Sequence, residues 1–157
     1  MTEHDAHWTV QRFDEIPLRD FYSILAARVA VFVVEQDCPY QDIDGQDFSA
    51  LHVTARDGDA RVLAYARILP PSTRFPEPSI GRVLTTMPAR GTGLGRALME
   101  KCLAVSEDAF PGQSLRISAQ QYLEAFYLSL GFETVHGPYP EDGIPHLEML
   151  RPARSEQ

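Results

Sequence analysis

Cysteine is scarce in this sequence: Cys38 and Cys102 are the two present in 157 residues. Two are too few for a disulfide framework, and neither stands in a CxxC or a Cys/His cluster, so no metal site is expected. Long apolar runs are missing as well. The longest, residues 29–34, falls far short of the roughly 20 residues a membrane-spanning helix needs, so no membrane association is expected. Residues 1–7 are polar and acidic, without the basic start and apolar run of a secretory signal, which predicts a cytoplasmic protein. Positive charge is in short supply: 14 Lys and Arg face 22 Asp and Glu, a formal charge of -8. Such a surface repels phosphodiester backbones, so nucleic acid is not an expected partner.

What is present is ordinary globular material. Hydrophobic residues make up 44% and charged residues 23%, and the length fits a single domain over residues 1–157 with its core at about 8–150. The charges are unevenly placed. Glu35, Asp37, Asp42, Asp44 and Asp47 crowd one stretch, whereas residues 80–99 hold Arg82, Arg90 and Arg96 and no acid at all. The acidic run reads either as a solvated loop or as an attraction for a cationic ligand. A calcium loop is not expected there, because Gly45 has the wrong offset and no Glu stands at the twelfth position.

Periodicity sets out the elements. Residues 8–13 alternate as a strand. Leu18, Phe21, Tyr22, Leu25, Val29, Phe32 and Val33 recur at three and four, predicting one apolar stripe on a helix of about four turns, which Cys38-Pro39 ends. Residues 51–56 and 61–69 flank Asp57-Gly58-Asp59 and read as a hairpin, the second strand apolar on both faces. Residues 80–86 form a strand. A glycine-rich turn then leads into a helix with Leu94, Ala97, Leu98, Cys102, Val105 and Ala109 on one side, so Cys102 is a core residue. A strand at 115–119, a helix at 122–130 capped by Gly131, and strands at 132–135 and 146–150 follow; residues from 152 read as a frayed tail. Strand-helix-strand links over 80–119 predict a parallel pair, and the hairpins antiparallel ones. The fold class is α+β (mixed α/β): a central mixed, largely antiparallel twisted sheet with helices on both faces.

The most informative stretch is Arg90-Gly91-Thr92-Gly93-Leu94-Gly95-Arg96, after a strand and opening a helix. Glycines let backbone pass close to a ligand. The first amides of a helix lack internal partners and carry about half a positive charge, which suits a phosphate or pyrophosphate. A Walker loop would need Lys then Ser or Thr where Arg96-Ala97 stand, and a dinucleotide fingerprint would need Gly or Ala at Arg96. What remains is Arg or Gln, two residues, Gly, one residue, Gly or Ala, matched by Arg90, Gly93 and Gly95.

With that pattern the sequence resembles the GNAT superfamily of acyl-CoA-dependent N-acyltransferases. A downstream signature agrees: residues 120–132 carry Phe126, Tyr127, Gly131 and Phe132 in the family spacing, with Gln120 in place of Asn and Leu123 in place of Ala. Residues 31–36, 38–41, 44–45 and 141–146 resemble the ElaA-like branch, and the similarity spans residues 8–150. The resemblance implies acetyl-CoA as co-substrate, no metal, and a small-molecule or peptide amine as acceptor. It also implies that Val83, Leu84 and Thr85 meet the pantetheine arm, that Arg90, Gly91, Thr92, Gly93, Leu94, Gly95 and Arg96 hold the pyrophosphate, and that Gln120 belongs to the cofactor site. Coenzyme A would lie where the strands near residues 83 and 117 diverge.

The chemistry asks for more. A lysine-like amine is about 3.4 pH units from neutrality at pH 7, so freeing its lone pair costs roughly 4.6 kcal/mol. Tyr127 is the expected acid for the departing thiolate, a phenol of pKa about 10 serving a thiol of about 8.5. Glu35 and His52 are the candidate bases; otherwise Glu35 pairs with Arg28 or Arg67, and His52 satisfies backbone groups. Direct attack in a ternary complex is expected, because neither cysteine is placed as a nucleophile. The alternatives are a non-catalytic acyl-CoA-binding module and an acyl-homoserine-lactone-synthase-like acyltransferase. Exposed edge strands would admit a homodimer.

Overall fold

The computed structural model describes residues 6–153. Residues 1–5, most of the stretch read for a signal, and residues 154–157 of the expected tail lie outside it. Seven strands and three α-helices follow in the order β1 (His7–Arg12), α1 (Leu18–Arg28), β2 (Leu51–Arg56), β3 (Val62–Leu69), β4 (Ser79–Thr85), α2 (Leu94–Ala109), β5 (Leu115–Gln120), α3 (Glu124–Leu128), β6 (Glu133–Glu141) and β7 (Ile144–Arg151). A π-helical segment, Val29–Glu35, continues α1 directly.

The strands form two sheets, one in the order β1-β2-β3-β4 and the other β5-β7-β6. Every ladder described is antiparallel. The parallel pair expected from residues 80–119 does not form. Where β4 and β5 begin, the Arg116 amide donates to the Pro78 carbonyl at 3.1 Å, and beyond that bond the strands belong to separate sheets. A bulge explains the parting. Tyr65 pairs with Leu84 and Arg67 with Gly81, so Arg82 and Val83 together stand opposite Ala66, and Arg82 takes φ +52°. An extra residue in one strand bends it and increases its twist.

The largest core cluster joins both sheets through α2, with Leu94, Leu98, Met99 and Cys102 set against Val53, Leu63, Ile117 and Met149. Cys102 is a core residue, as its place in the stripe predicted. A second cluster lies under α1 and contains Ile24, Val31, Phe32, Tyr65 and Leu84. Here the predicted stripe is displaced: Leu18 and Tyr22 are 89% and 77% exposed, and the buried face runs through Ile24 and Arg28 instead. The reason is ionic. Buried Arg28 meets Asp42 at 3.0 Å and Asp47 at 2.7 Å, which rotates α1 away from the arrangement that apolar spacing alone would choose. After Arg28 the chain has β-branched Val29, Val31, Val33 and Val34, which crowd an α-helical turn. Widening to a π-helix directs Val31 and Phe32 inward.

Candidate active site

Between the parted strands lies a cleft of about 650 Å³. One wall is β4 from Ile80 to Thr85, and the opposite wall is β5 from Ile117 to Gln120. The π-helical segment contributes Val31, Phe32 and Glu35, and Phe126 and Tyr127 come from α3. The predicted residues Val83, Leu84, Thr85, Arg90, Gly95, Gln120, Tyr127 and Glu35 therefore line one cavity. Their convergence was legible only in part: nothing in the residues themselves shows that two strands 30 positions apart separate at a bulge.

The glycine turn stands at the start of α2. Gly93 has φ +84° and Gly91 φ +78°, both in the left-handed region that residues with a Cβ avoid. A Cβ at either position would meet nothing within 4 Å, so the demand for glycine is conformational and the space beside the turn is open. Thr92 donates its hydroxyl to the Ala89 carbonyl at 2.5 Å, and the Ala97 amide donates to the Gly93 carbonyl at 3.2 Å. The amides of Leu94, Gly95 and Arg96 precede that first helical bond and have no intrahelical acceptor. The Leu94 side chain is buried in the core, so Leu94 offers its backbone alone.

The three arginines of this stretch have different partners. Arg82 is ion-paired with Asp42 at 2.8 Å and Asp44 at 3.3 Å. Arg90 meets the Glu35 carboxylate at 2.6 Å and donates from Nε and one terminal nitrogen to the Thr85 carbonyl. Arg96 lies over the Phe126 ring and donates to the Ser129 hydroxyl at 2.6 Å.

Tyr127 is almost wholly buried, its ring packed edge-on against Phe126 and Phe132. Burial pushes its phenol up to about 12, well beyond the ordinary value assumed from sequence. The same burial pushes the nearby Cys102 thiol up to about 12. With the phenol at about 12, protonating a thiolate of ordinary pKa about 8.5 is a steeper step than the unshifted phenol would ask.

His52 is not a base open to substrate. It is fully buried; its Nε2–H donates to the Asp47 carbonyl at 2.9 Å, and Nδ1 accepts the Tyr65 hydroxyl at 2.7 Å, leaving no free lone pair. Burial lowers its proton affinity further. The alternative reading, that His52 satisfies backbone groups, describes half of what it does. Glu35 does face the cleft, but its partner is Arg90 and neither Arg28 nor Arg67.

The acidic run divides: Glu35 and Asp37 stay exposed, while its later members are held by arginines. Asp42, Asp44 and Asp47 meet Arg28, Arg67 and Arg82, three charges against three. Arg67 forks onto Asp44 at 2.6 and 2.8 Å. Burial would raise the Asp44 carboxyl, but the hydrogen bonds from Arg67 and the Gln46 amide overcome it and hold Asp44 well below the usual carboxylate range. This network ties the loop after the π-helix to β3 and β4 and so fixes the Tyr40 and Arg82 side of the cleft. The sequence offers Arg28 and Arg67 as ion-pair partners, but of Glu35; their carboxylates are Asp42, Asp44 and Asp47 instead.

Among the described residues no cluster of three or more His, Cys, Asp or Glu could hold a metal ion, and no helix is long and apolar enough to cross a membrane.

Comparison with known proteins agrees with this arrangement. Residues 20–151 match the Acetyltransferase (GNAT) domain family. The UPF0039 protein sll0451 of Synechocystis is 44% identical over 146 residues, 93% of this chain and 95% of that protein. Among solved structures, an acyl-CoA N-acyltransferase from Pseudomonas aeruginosa superposes with a TM-score of 0.89 at 40% identity, covering 93% of this chain and 99% of that one. Escherichia coli ElaA superposes with a TM-score of 0.87 at 39% identity over the same shares. With a family match over most of its length and relatives this similar, the chain belongs to the GNAT acetyltransferase family.

Proposed function

We propose that this protein is a cytoplasmic N-acetyltransferase that moves an acetyl group from acetyl-CoA to a primary amine of a small molecule or peptide, by direct attack in a ternary complex. The observation that carries the reading is the cleft itself, where strands part beside a helix start whose glycines leave open space. That combination fits an elongated ligand with a diphosphate at one end. The amides of residues 91–96 and the Arg90 and Arg96 side chains would hold the diphosphate, and the β4 edge at Val83, Leu84 and Thr85, with Gln120 opposite, would hold the arm. Acetyl-CoA would supply an activated thioester. Tyr127 Oη keeps its proton throughout the working pH range and would deliver it to the departing sulfur. Direct attack follows from the cysteines: Cys102 is sealed in the core, and Cys38 donates its thiol to the Asp142 carbonyl. Both are free thiols, in keeping with a reducing compartment.

The test is release of free thiol from acetyl-CoA with a panel of primary amines, together with calorimetry of acetyl-CoA binding. Saturable binding with amine-dependent thiol release is expected. Binding without turnover on any amine would make the protein an acyl-CoA-binding module, and no binding at low ionic strength would sink the reading.

A further inference from the structure

The hairpin between β6 and β7 brings a second polar cluster to the cleft, apart from the glycine turn. His146, which lines the cleft but is itself buried, donates Nδ1–H to the Ile144 carbonyl at 2.7 Å, since a carbonyl can only accept. In the neutral ring Nε2 then carries the lone pair, 3.3 Å from Glu141 Oε2. The Ser118 hydroxyl donates to the same oxygen at 3.1 Å and accepts from the Tyr139 hydroxyl at 2.6 Å. Arg74 pairs with Oε1 of Glu141. The rings of His136, Tyr139 and His146 stack. Behind them Gly137, at φ +117°, lies so close to β7 that a Cβ would stand 3.0 Å from the His146 carbonyl oxygen.

Two acceptor atoms, Nε2 and Oε2, thus face each other with no hydrogen of their own, a place where one added proton is held between them. A carboxylate offers about four lone-pair positions. Arg74 and Ser118 take two and a protonated His146 a third, leaving one for a donor in the cleft that Glu141 lines. Glu35 also has an arginine partner, Arg90, but among the described residues no histidine stands beside it to take the proton on.

We propose that Glu141 is the catalytic residue that receives the proton of the acceptor ammonium, and that His146 Nε2 holds it. This rests on the amine N-acetylation proposed above and assigns its missing base. The nitrogen sheds two protons. Its first N–H bond breaks toward Glu141, and the proton passes through His146 to water. The freed electron pair forms the C–N bond as the C–S bond breaks, and the sulfur takes the Tyr127 proton. The second N–H proton then restores the phenol.

The charged and titratable groups about the His146 ring are Glu141 at Nε2, Tyr139 and His136 in the ring stack, and Asp142 and Arg74 on the same wall of the cleft; Glu148, two residues on, is paired with Arg116. Substituting Glu141 changes the one in direct reach of Nε2. The experiment compares wild type, Glu141→Gln and His146→Gln with acetyl-CoA and two kinds of nucleophile: primary alkylamines, charged at pH 7, and hydroxylamine, which is already neutral. Expected are kcat losses of about 10²-fold or more on alkylamines, hydroxylamine turnover within about 3-fold of wild type, and unchanged acetyl-CoA affinity. Ser118→Ala should show the same selectivity to a smaller degree and covers the case in which His146→Gln fails to fold. Separately, nitrogen NMR of the His146 ring should show the Nδ1–H tautomer in wild type. Equal losses on both nucleophiles, no loss on either, or an Nε2–H tautomer would overturn the assignment. Wild type that binds acetyl-CoA yet acetylates no amine would overturn N-acetylation itself, whereas wild-type turnover preserved in Glu141→Gln and His146→Gln overturns this inference alone.

Discussion

The guanidinium of Arg90 meets the carboxylate of Glu35 at 2.6 Å, joining the end of the π-helical segment to the start of the glycine turn. Both side chains are more than a third exposed, so the pair is worth at most about 1 kcal/mol. Glu35 competes with any diphosphate for Arg90. Glu35→Gln should therefore raise acetyl-CoA affinity by up to about 5-fold at low salt, with kcat little changed, as calorimetry and initial rates would read. A kcat loss of 10²-fold with unaltered affinity would instead make Glu35 the base.

Removing the phenol hydroxyl tests the acid. Tyr127→Phe keeps the ring contacts with Phe126 and Phe132, so the melting temperature should stay within a degree or two. Turnover should fall by about 10²-fold or more while acetyl-CoA affinity holds. A kcat equal to wild type would remove Tyr127 from the mechanism.

At Gly93 the demand is for a backbone conformation. Since a Cβ would collide with nothing, Gly93→Ala isolates the cost of φ +84°, about 1–2 kcal/mol. Thermal unfolding should shift down by roughly 2–8 °C. If the turn relaxes instead, acetyl-CoA affinity should fall by about 5- to 30-fold.

Below the cleft, Arg28→Met would leave Asp42 and Asp47 buried with fewer cationic partners. Breaking such a pair costs about 3–5 kcal/mol, readable as a lower urea midpoint. A midpoint unchanged within error would mean that the network orders the loop without stabilising the fold.

Stability should also depend on pH in two steps. Burial keeps His52 from binding a proton that the unfolded chain accepts near 6.5, so its contribution is complete above that pH and drains as pH falls through it. Asp44, held low by Arg67 and the Gln46 amide against the burial that would raise it, contributes fully above its ordinary value of 3.8 and loses that as pH drops further. Urea unfolding at pH 8, 5 and 3.5 should give successively smaller free energies.

Local features were legible in the sequence because their causes are local. The hairpin around Asp57-Gly58-Asp59, the stripe on α2 with Cys102 inside, Gly131 at φ +93° and the glycine turn all follow from neighbours a few residues apart. Features set by distant partners were not legible. Arg28 is buried because Asp42 and Asp47, 14 and 19 residues on, come to meet it, and that moved the buried face of α1. The same loop sealed His52 away from substrate. The extra residue, Arg82, takes a positive φ without being a glycine, so the two-sheet division was read as one mixed sheet. Glu141 and His146 stood within a stretch of family likeness, but without the hairpin geometry neither showed a role.

The divergence of β4 from β5 reaches past catalysis. One backbone bond, from Arg116 to Pro78, fastens the two strands where they begin, and the Arg116 side chain reinforces it by clasping Glu77 and Glu148. Further along, neither strand has the other to zip against, so whatever settles in the wedge becomes mortar between the halves of the molecule. Occupancy should accordingly slow amide exchange on the inner rims of both sheets, making rigidity a reporter of loading.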